Sequence, residues 1–105
     1  MVLSPGYQLF FQHAPDVARA WMSVNQLLDQ TPALDRKTSE LAYLAVLAAL
    51  GLQQGIGFHA AEARTRGASR EEVVAAILVG LPAAGHRVVE ALPAAIAAFD
   101  ATAAD

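Results

Sequence analysis

The sequence predicts an all-α domain, a helical bundle of about five to six helices. Three observations carry that prediction. Ala and Leu dominate, and no stretch alternates apolar with polar residues as a half-buried strand would. Apolar side chains instead recur at helical spacing, as at Val17, Trp21, Val24 and Leu28. Helix starts and stops divide the chain, among them Ser69-Arg70-Glu71-Glu72 and Gly67.

The elements follow in order. Pro15-Asp16 opens the first clear helix, since proline and an acid both suit a first turn. Gln30-Thr31-Pro32 ends it, because the residue before proline disfavours helix. A second helix is expected over Asp35–Leu50, capped by Asp35 or Thr38. Its segment Leu41–Leu50 carries no charge, so burial on most sides is expected. Gly51 and Gly55 interrupt the chain, and a third helix runs through His59 to Arg66, stopped by Gly67. The serine and glutamate of Ser69–Glu72 form a capping box that starts a fourth helix through Val79. Gly80, Pro82 and Gly85 break that helix. A fifth element spans His86–Phe99 and is kinked or split at Pro93, and the tail from Ala101 to Asp105 should fray.

Length and composition bound the rest. The 105 residues fit a single domain over 1–105. Charged residues make up 16% and apolar ones 55%, whereas an average domain carries roughly 25% charged residues. A lone domain of this size needs more polar cover, so burial between subunits of a homo-oligomer is expected. A membrane span is not: the longest uncharged run, Leu41–Phe58, barely reaches spanning length and includes Gln53, Gln54 and three glycines. The net charge is −3 with no basic block, which argues against nucleic acid as a partner. There is no cysteine, so this chain has no thiolate for redox or metal chemistry. Met1-Val-Leu-Ser-Pro-Gly lacks the charged and apolar regions of a secretory signal, and a cytoplasmic location is the expectation.

Few side chains offer chemistry. Glu40 sits at the edge of the uncharged helix, one turn before Tyr43 and Leu44. It is either a first-turn acid favoured by the helix dipole or a shielded carboxylate usable as a base. On helical spacing His59 shares a face with Leu52 and Gly55. It is either a packed helix histidine within reach of Glu62, or an acid/base group beside space left by Gly55 and Gly57. His86 and Arg87 follow the Pro82/Gly85 break, where a cation could hold a carboxylate, and Arg64 is a second such cation. His13, beside Phe10 and Phe11, has the weakest claim. No HExxH or similar ligand spacing is present, so no metal is expected. P-loop, GxGxxG and GxSxG motifs are absent as well.

A family resemblance rests on several of these residues together. Leu34-Asp35-Arg36-Lys37-Thr38-Ser39-Glu40-Leu41 resembles the "Ld-x-k-t-x-E-L" segment of the AhpD-like, or carboxymuconolactone decarboxylase, superfamily. Gly51-Leu52-Gln53-Gln54-Gly55-Ile56-Gly57-Phe58-His59 is similar to its "G-C-x-x-C-I-x-F-H" core. Ala63, Gly67-Ala68-Ser69 and Glu71-Glu72-Val73 resemble the continuation "A-x-x-x-G-A-[ST]-x-E-E-[IV]", and Gly80-Leu81-Pro82-Ala83 the later "G-G-P-A". The resemblance covers residues 10–99 and implies an AhpD-like oligomeric helical bundle, usually a trimer or hexamer.

It also implies where chemistry would reside. The two cysteines of AhpD-type members fall on Leu52 and Gly55, so thiol-dependent peroxidase activity is excluded for this chain. In the same family a glutamate and a histidine matching Glu40 and His59 relay protons. The branch resembling γ-carboxymuconolactone decarboxylase lacks the cysteine pair, uses no cofactor and keeps the histidine. By that resemblance His59 and Glu40 would be catalytic in a decarboxylase, lyase or isomerase acting on a small organic acid or ketone. Leu52, Gly55 and Phe58 would shape the substrate pocket and Arg87 would bind an anion. The alternative is an inactive oligomer that serves as a binding or scaffold protein.

Overall fold

The computed structural model describes residues 4–30 and 33–102. All regular structure among the described residues is helical. The chain divides into two compact units, residues 1–33 and 34–105.

The first unit is a pair of helices, α1 (Pro5–His13) and α2 (Pro15–Asp29). The sequence reading did not anticipate α1. Its start signal is nonetheless present: Ser4 Oγ accepts the Tyr7 N–H at 3.2 Å, and Pro5 occupies the first turn. The aromatic face of α1 meets α2 through Tyr7, whose hydroxyl donates to Met22 Sδ at 3.4 Å and accepts from Asn25 Nδ2 at 3.5 Å. Helix α2 starts at Pro15 as expected and ends at Gln30, while Thr31 and Pro32 lie outside the described residues. The stripe Val17, Trp21, Val24 and Leu28 is 45–67% exposed, and the buried residue of α2 is Ala18.

The second unit holds α3 (Arg36–Leu50), α4 (Ile56–Thr65), α5 (Arg70–Leu78), the single turn α6 (Leu81–Ala84), a 3-10 segment (Gly85–Ala91) and α7 (Leu92–Ala101). Helix α3 packs against α4 and α5, and α4 against α7. Leu44, Ile56, Val73, Ile77 and Val88 are the largest fully buried side chains of the resulting core. Small residues bring the α4 and α7 backbones close, with Ala60, Ala63, Ala91 and Ala95 all fully buried. Burial of α3 departs from the expectation. Leu44, Leu47 and Ala48 are buried, but Tyr43, Val46 and Leu50 are about half exposed, so the uncharged helix keeps one open apolar face.

Caps define the helix starts. Asp35 Oδ1 accepts the Thr38 N–H at 2.7 Å and begins α3. The capping box is complete: Ser69 Oγ accepts from Glu72 N–H at 3.0 Å, and Glu72 Oε1 accepts from Ser69 N–H at 2.9 Å. Glu72 Oε2 lies 3.0 Å from Lys37 Nζ and so ties the start of α5 to the start of α3. Pro93 stands in the first turn of α7, where a missing N–H costs nothing, and the expected split at this proline is the junction from 3-10 to α-helix. Ala103–Asp105, the end of the tail expected to fray, lies outside the described residues.

The stretch Arg70–Ala101 has the length and composition of a membrane span, with a mean hydropathy of 1.5 over an 18-residue window within it. It is not one straight rod. Gly85 takes φ +79°, α6 and the 3-10 segment turn the chain, and Arg70 near one end is ion-paired with Asp100 near the other. A continuous helix would hold those ends roughly 45 Å apart at 1.5 Å per residue.

The caps set two expectations. Ser69→Ala should lower stability by about 1 kcal/mol in urea unfolding, the usual cost of a lost N-cap. The Asp35 carboxyl is held below its ordinary value by the Thr38 backbone N–H first, then by the Thr38 side chain, with Lys37 adding to both. Glu72 is lowered by the Ser69 backbone N–H first, then by Lys37. A carboxyl whose folded pKa lies below its unfolded one stabilises the fold above the unfolded value, and that contribution disappears as pH falls through the folded value. Unfolding midpoints should therefore hold between pH 7 and about 5 and drop below about 4, the ordinary carboxylate range. Asp35→Asn with Glu72→Gln should flatten that acid limb.

Candidate acid–base site

The site is built by the connection between α3 and α4. Helix α3 ends at Gly51, which takes φ +71°, and Gly55 takes φ +90° as the residue before α4. Both values lie in the left-handed region that side chains with a Cβ disfavour. Within five residues the chain reverses, and α4 returns along α3. Leu52 is therefore in the loop and not on a helical face with His59; its N–H bonds to the Leu47 carbonyl at 3.0 Å.

The reversal brings His59 on α4 to Glu40 on α3. His59 Nδ1 lies 2.6 Å from Glu40 Oε2. The two side chains are 24% and 18% exposed, so the pair is shielded yet still open to small molecules. A contact this short joins a charged acceptor to a ring N–H. Against an ionised carboxylate Nδ1 is the donor of this contact, and in the neutral imidazole that tautomer leaves the lone pair on Nε2. Among the described residues Nε2 has no hydrogen-bond partner.

Two aromatic rings flank the imidazole. Tyr43 lies 4.6 Å away between centroids at 61°, and Phe58 5.1 Å away at 89°. A Cβ on Gly55 would stand 3.6 Å from His59 Cδ2 and 3.6 Å from Leu47 Cδ1, so this glycine does border the ring. Gly57 does not. A Cβ there would meet Ala98 Cβ at 3.5 Å, and its role is the close approach of α4 to α7.

The other candidates fall as follows. Leu52 and Phe58 are 51% and 43% exposed and stand beside the loop and the histidine. The Arg87 guanidinium lies against the Gly51 turn, with Nη1 3.8 Å from where a Cβ on Gly51 would be. Among the described residues Arg87 has no ion-pair partner. Arg64 is committed elsewhere: it donates to the Phe99 carbonyl at 2.6 Å and lies 4.6 Å over the Phe99 ring, closing the end of α7. Glu62 does not bond His59; it stands 4.0 Å from Arg66. His86 is solvent-facing, 3.9 Å from Glu90, and His13 is in the last turn of α1. Among the described residues no three metal-ligating side chains converge. Sequence reasoning missed Tyr43 as a neighbour of the histidine. The signal was its position three residues after Glu40, which places both on one side of α3.

An apolar groove of about 430 Å³ runs between α3 and α5, lined among others by Lys37, Leu41, Ala45, Glu72 and Val79. Neither Glu40 nor His59 lines it, so the groove and the histidine are separate features.

The model of the carboxymuconolactone decarboxylase family matches residues 15–103. The chain belongs to that family. No curated protein and no solved structure matches it. As a carboxymuconolactone decarboxylase family chain it is notable for what stands at the expected cysteine positions, an exposed leucine at 52 and a left-handed glycine at 55. Side-chain replacement at 55 would strain the backbone even though a Cβ there would meet only ordinary van der Waals contacts.

Gly55→Ala should therefore cost about 1 kcal/mol, the ordinary penalty for an L-residue in left-handed backbone. Its methyl would meet its neighbours at normal contact distance, so the loss is conformational. Urea unfolding should show it, and Gly55→Asn should lose less because asparagine visits this region more readily.

Proposed function

We propose that the chain is an acid/base enzyme of the decarboxylase, lyase or isomerase type, acting without a cofactor on a small organic acid or ketone. The observation that supports this reading is the 2.6 Å contact between Glu40 and His59, which leaves Nε2 unpartnered. Glu40 holds the Nδ1–H tautomer and stabilises the imidazolium once it forms. Nε2 takes a proton from a carbon next to a carbonyl, or returns one to the carbanion left when carbon dioxide departs. Leu52, Gly55 and Phe58 frame the apolar side of the site, and the unpaired Arg87 holds the substrate carboxylate.

Assembly is part of this reading. The apolar surface at Val17, Trp21, Leu28, Val46 and Leu50 is roughly half exposed or more in the single chain, and a homo-oligomer, a trimer or hexamer, would bury it. A cytoplasmic protein without nucleic-acid or membrane partners fits this reading.

Deuterium exchange at activated carbons of a panel of small keto acids, lactones and unsaturated acids, followed by NMR, tests the chemistry. Exchange or carbon dioxide release should fall by about 10²- to 10⁴-fold in His59→Ala, the usual contribution of a general acid/base, and by less in Glu40→Gln. Unchanged turnover in His59→Ala would remove the histidine from the reaction. A wild-type chain inert on the whole panel would favour the scaffold reading. Native mass spectrometry should give three or six subunits, and Trp21→Asp, at the chain's sole tryptophan, should shift the distribution to smaller species.

A further inference from the structure

The imidazole of His59 needs more than Glu40 to point in one direction. A single hydrogen bond at Nδ1 leaves the ring free to turn about its Cβ–Cγ bond. A half-turn would exchange Nδ1 with Cδ2 and present a C–H to the carboxylate. The surroundings oppose that turn. Cδ2 lies beside Gly55 and the Leu47 methyl, since a Cβ built on Gly55 would stand 3.6 Å from Cδ2 and 3.6 Å from Leu47 Cδ1. Tyr43 and Phe58 lean on the ring at 61° and 89°, 4.6 and 5.1 Å away.

Of these two, Tyr43 is the one tied to the carboxylate. It lies on α3 one turn beyond Glu40, so acid and aromatic ring move together as parts of one rigid helix. Phe58 is adjacent to His59 in the chain and moves with it. Tyr43 is about half exposed, contributes nothing to the buried core, and its hydroxyl has no partner among the described residues. Neither core packing nor hydrogen bonding accounts for an aromatic side chain at this place.

We infer that Tyr43 is a positioning residue. Its ring, carried on the same helix as Glu40, wedges the His59 imidazole so that Nδ1 stays on the carboxylate and Nε2 stays aimed outward. The role rests on the acid/base reading of the site, but the geometry it predicts is measurable without turnover. The ring carries the effect and the hydroxyl does not, because the contact recorded is between ring planes.

The test uses the full-length protein, with nitrogen-15 in its histidines, at neutral pH. Long-range NMR correlations of His59 should report the Nδ1–H tautomer in the wild type and in Tyr43→Phe. Tyr43→Ala should show a mixture of ring states, and Tyr43→Leu should behave as Tyr43→Ala while keeping bulk, which guards against a folding defect in the smaller variant. On any substrate that the wild type turns over, kcat should fall by about tenfold or more in Tyr43→Ala with KM little changed, since misorientation of a catalytic group costs rate before binding, and Tyr43→Phe should restore it. A pure Nδ1–H tautomer in both Tyr43→Ala and Tyr43→Leu would overturn the inference. A wild-type chain that shows the tautomer and its loss in these variants, but turns over no substrate, would keep the wedge and remove the enzyme.

Discussion

The left-handed backbone at Gly51 and Gly55 is the constraint on which the site depends. Without a reversal in so few residues α4 could not return along α3, and Glu40 and His59, nineteen positions apart in sequence, would have no reason to meet. Each glycine has a second consequence. At 51 the absent side chain lets the Arg87 guanidinium lie against the turn, and at 55 it leaves the imidazole edge bordered by backbone. One loop thereby brings His59 to Glu40 and has Arg87 lying against its first turn, although no two of these side chains come from the same helix.

The second unit supports that loop with packing. Leu44 and Leu47 on α3, Ile56 on α4 and Ile77 on α5 are buried together, so the helices on either side of the loop are held by the same core. Arg64 adds a fastening between α4 and the end of α7 through its bond to the Phe99 carbonyl and its contact with the Phe99 ring. The first unit contributes little to any core, since α1 buries nothing and α2 only Ala18. Its exposed Val17–Leu28 stripe is the part of the molecule most in need of a partner surface.

Much of this was legible in the residues. Local signals with a direct physical cause read correctly: Asp35 and Ser69 as caps, Gly67 as a stop, Pro93 as a junction. Glu40 and His59 were legible as candidates by type and by resemblance. Their contact was not, because it depends on how the Gly51–Gly55 loop turns. Helical spacing was misleading for Leu52, which precedes the helix, and the space expected beside the imidazole at Gly57 is instead the α4–α7 contact. The same limit applies to Arg64 and Glu62. Residue type marks them as available charges, and only packing shows that one holds a carbonyl and the other sits with Arg66. Helix α1 was overlooked although Tyr7, Phe10 and Phe11 recur at helical spacing and its serine and proline start signal was in plain view.

The contact of Gly57 with α7 has a bearing on how such a protein can change. A Cβ added there would stand in ordinary contact with Ala98, so a larger side chain would press on α7. The groups around the imidazole are different: Tyr43, Leu52 and Phe58 are each roughly half open and lie outside the core. Substitution at these three positions therefore disturbs the core less than substitution at Gly57. New ligands can be accommodated by swapping side chains at the mouth while the scaffold below is inherited intact.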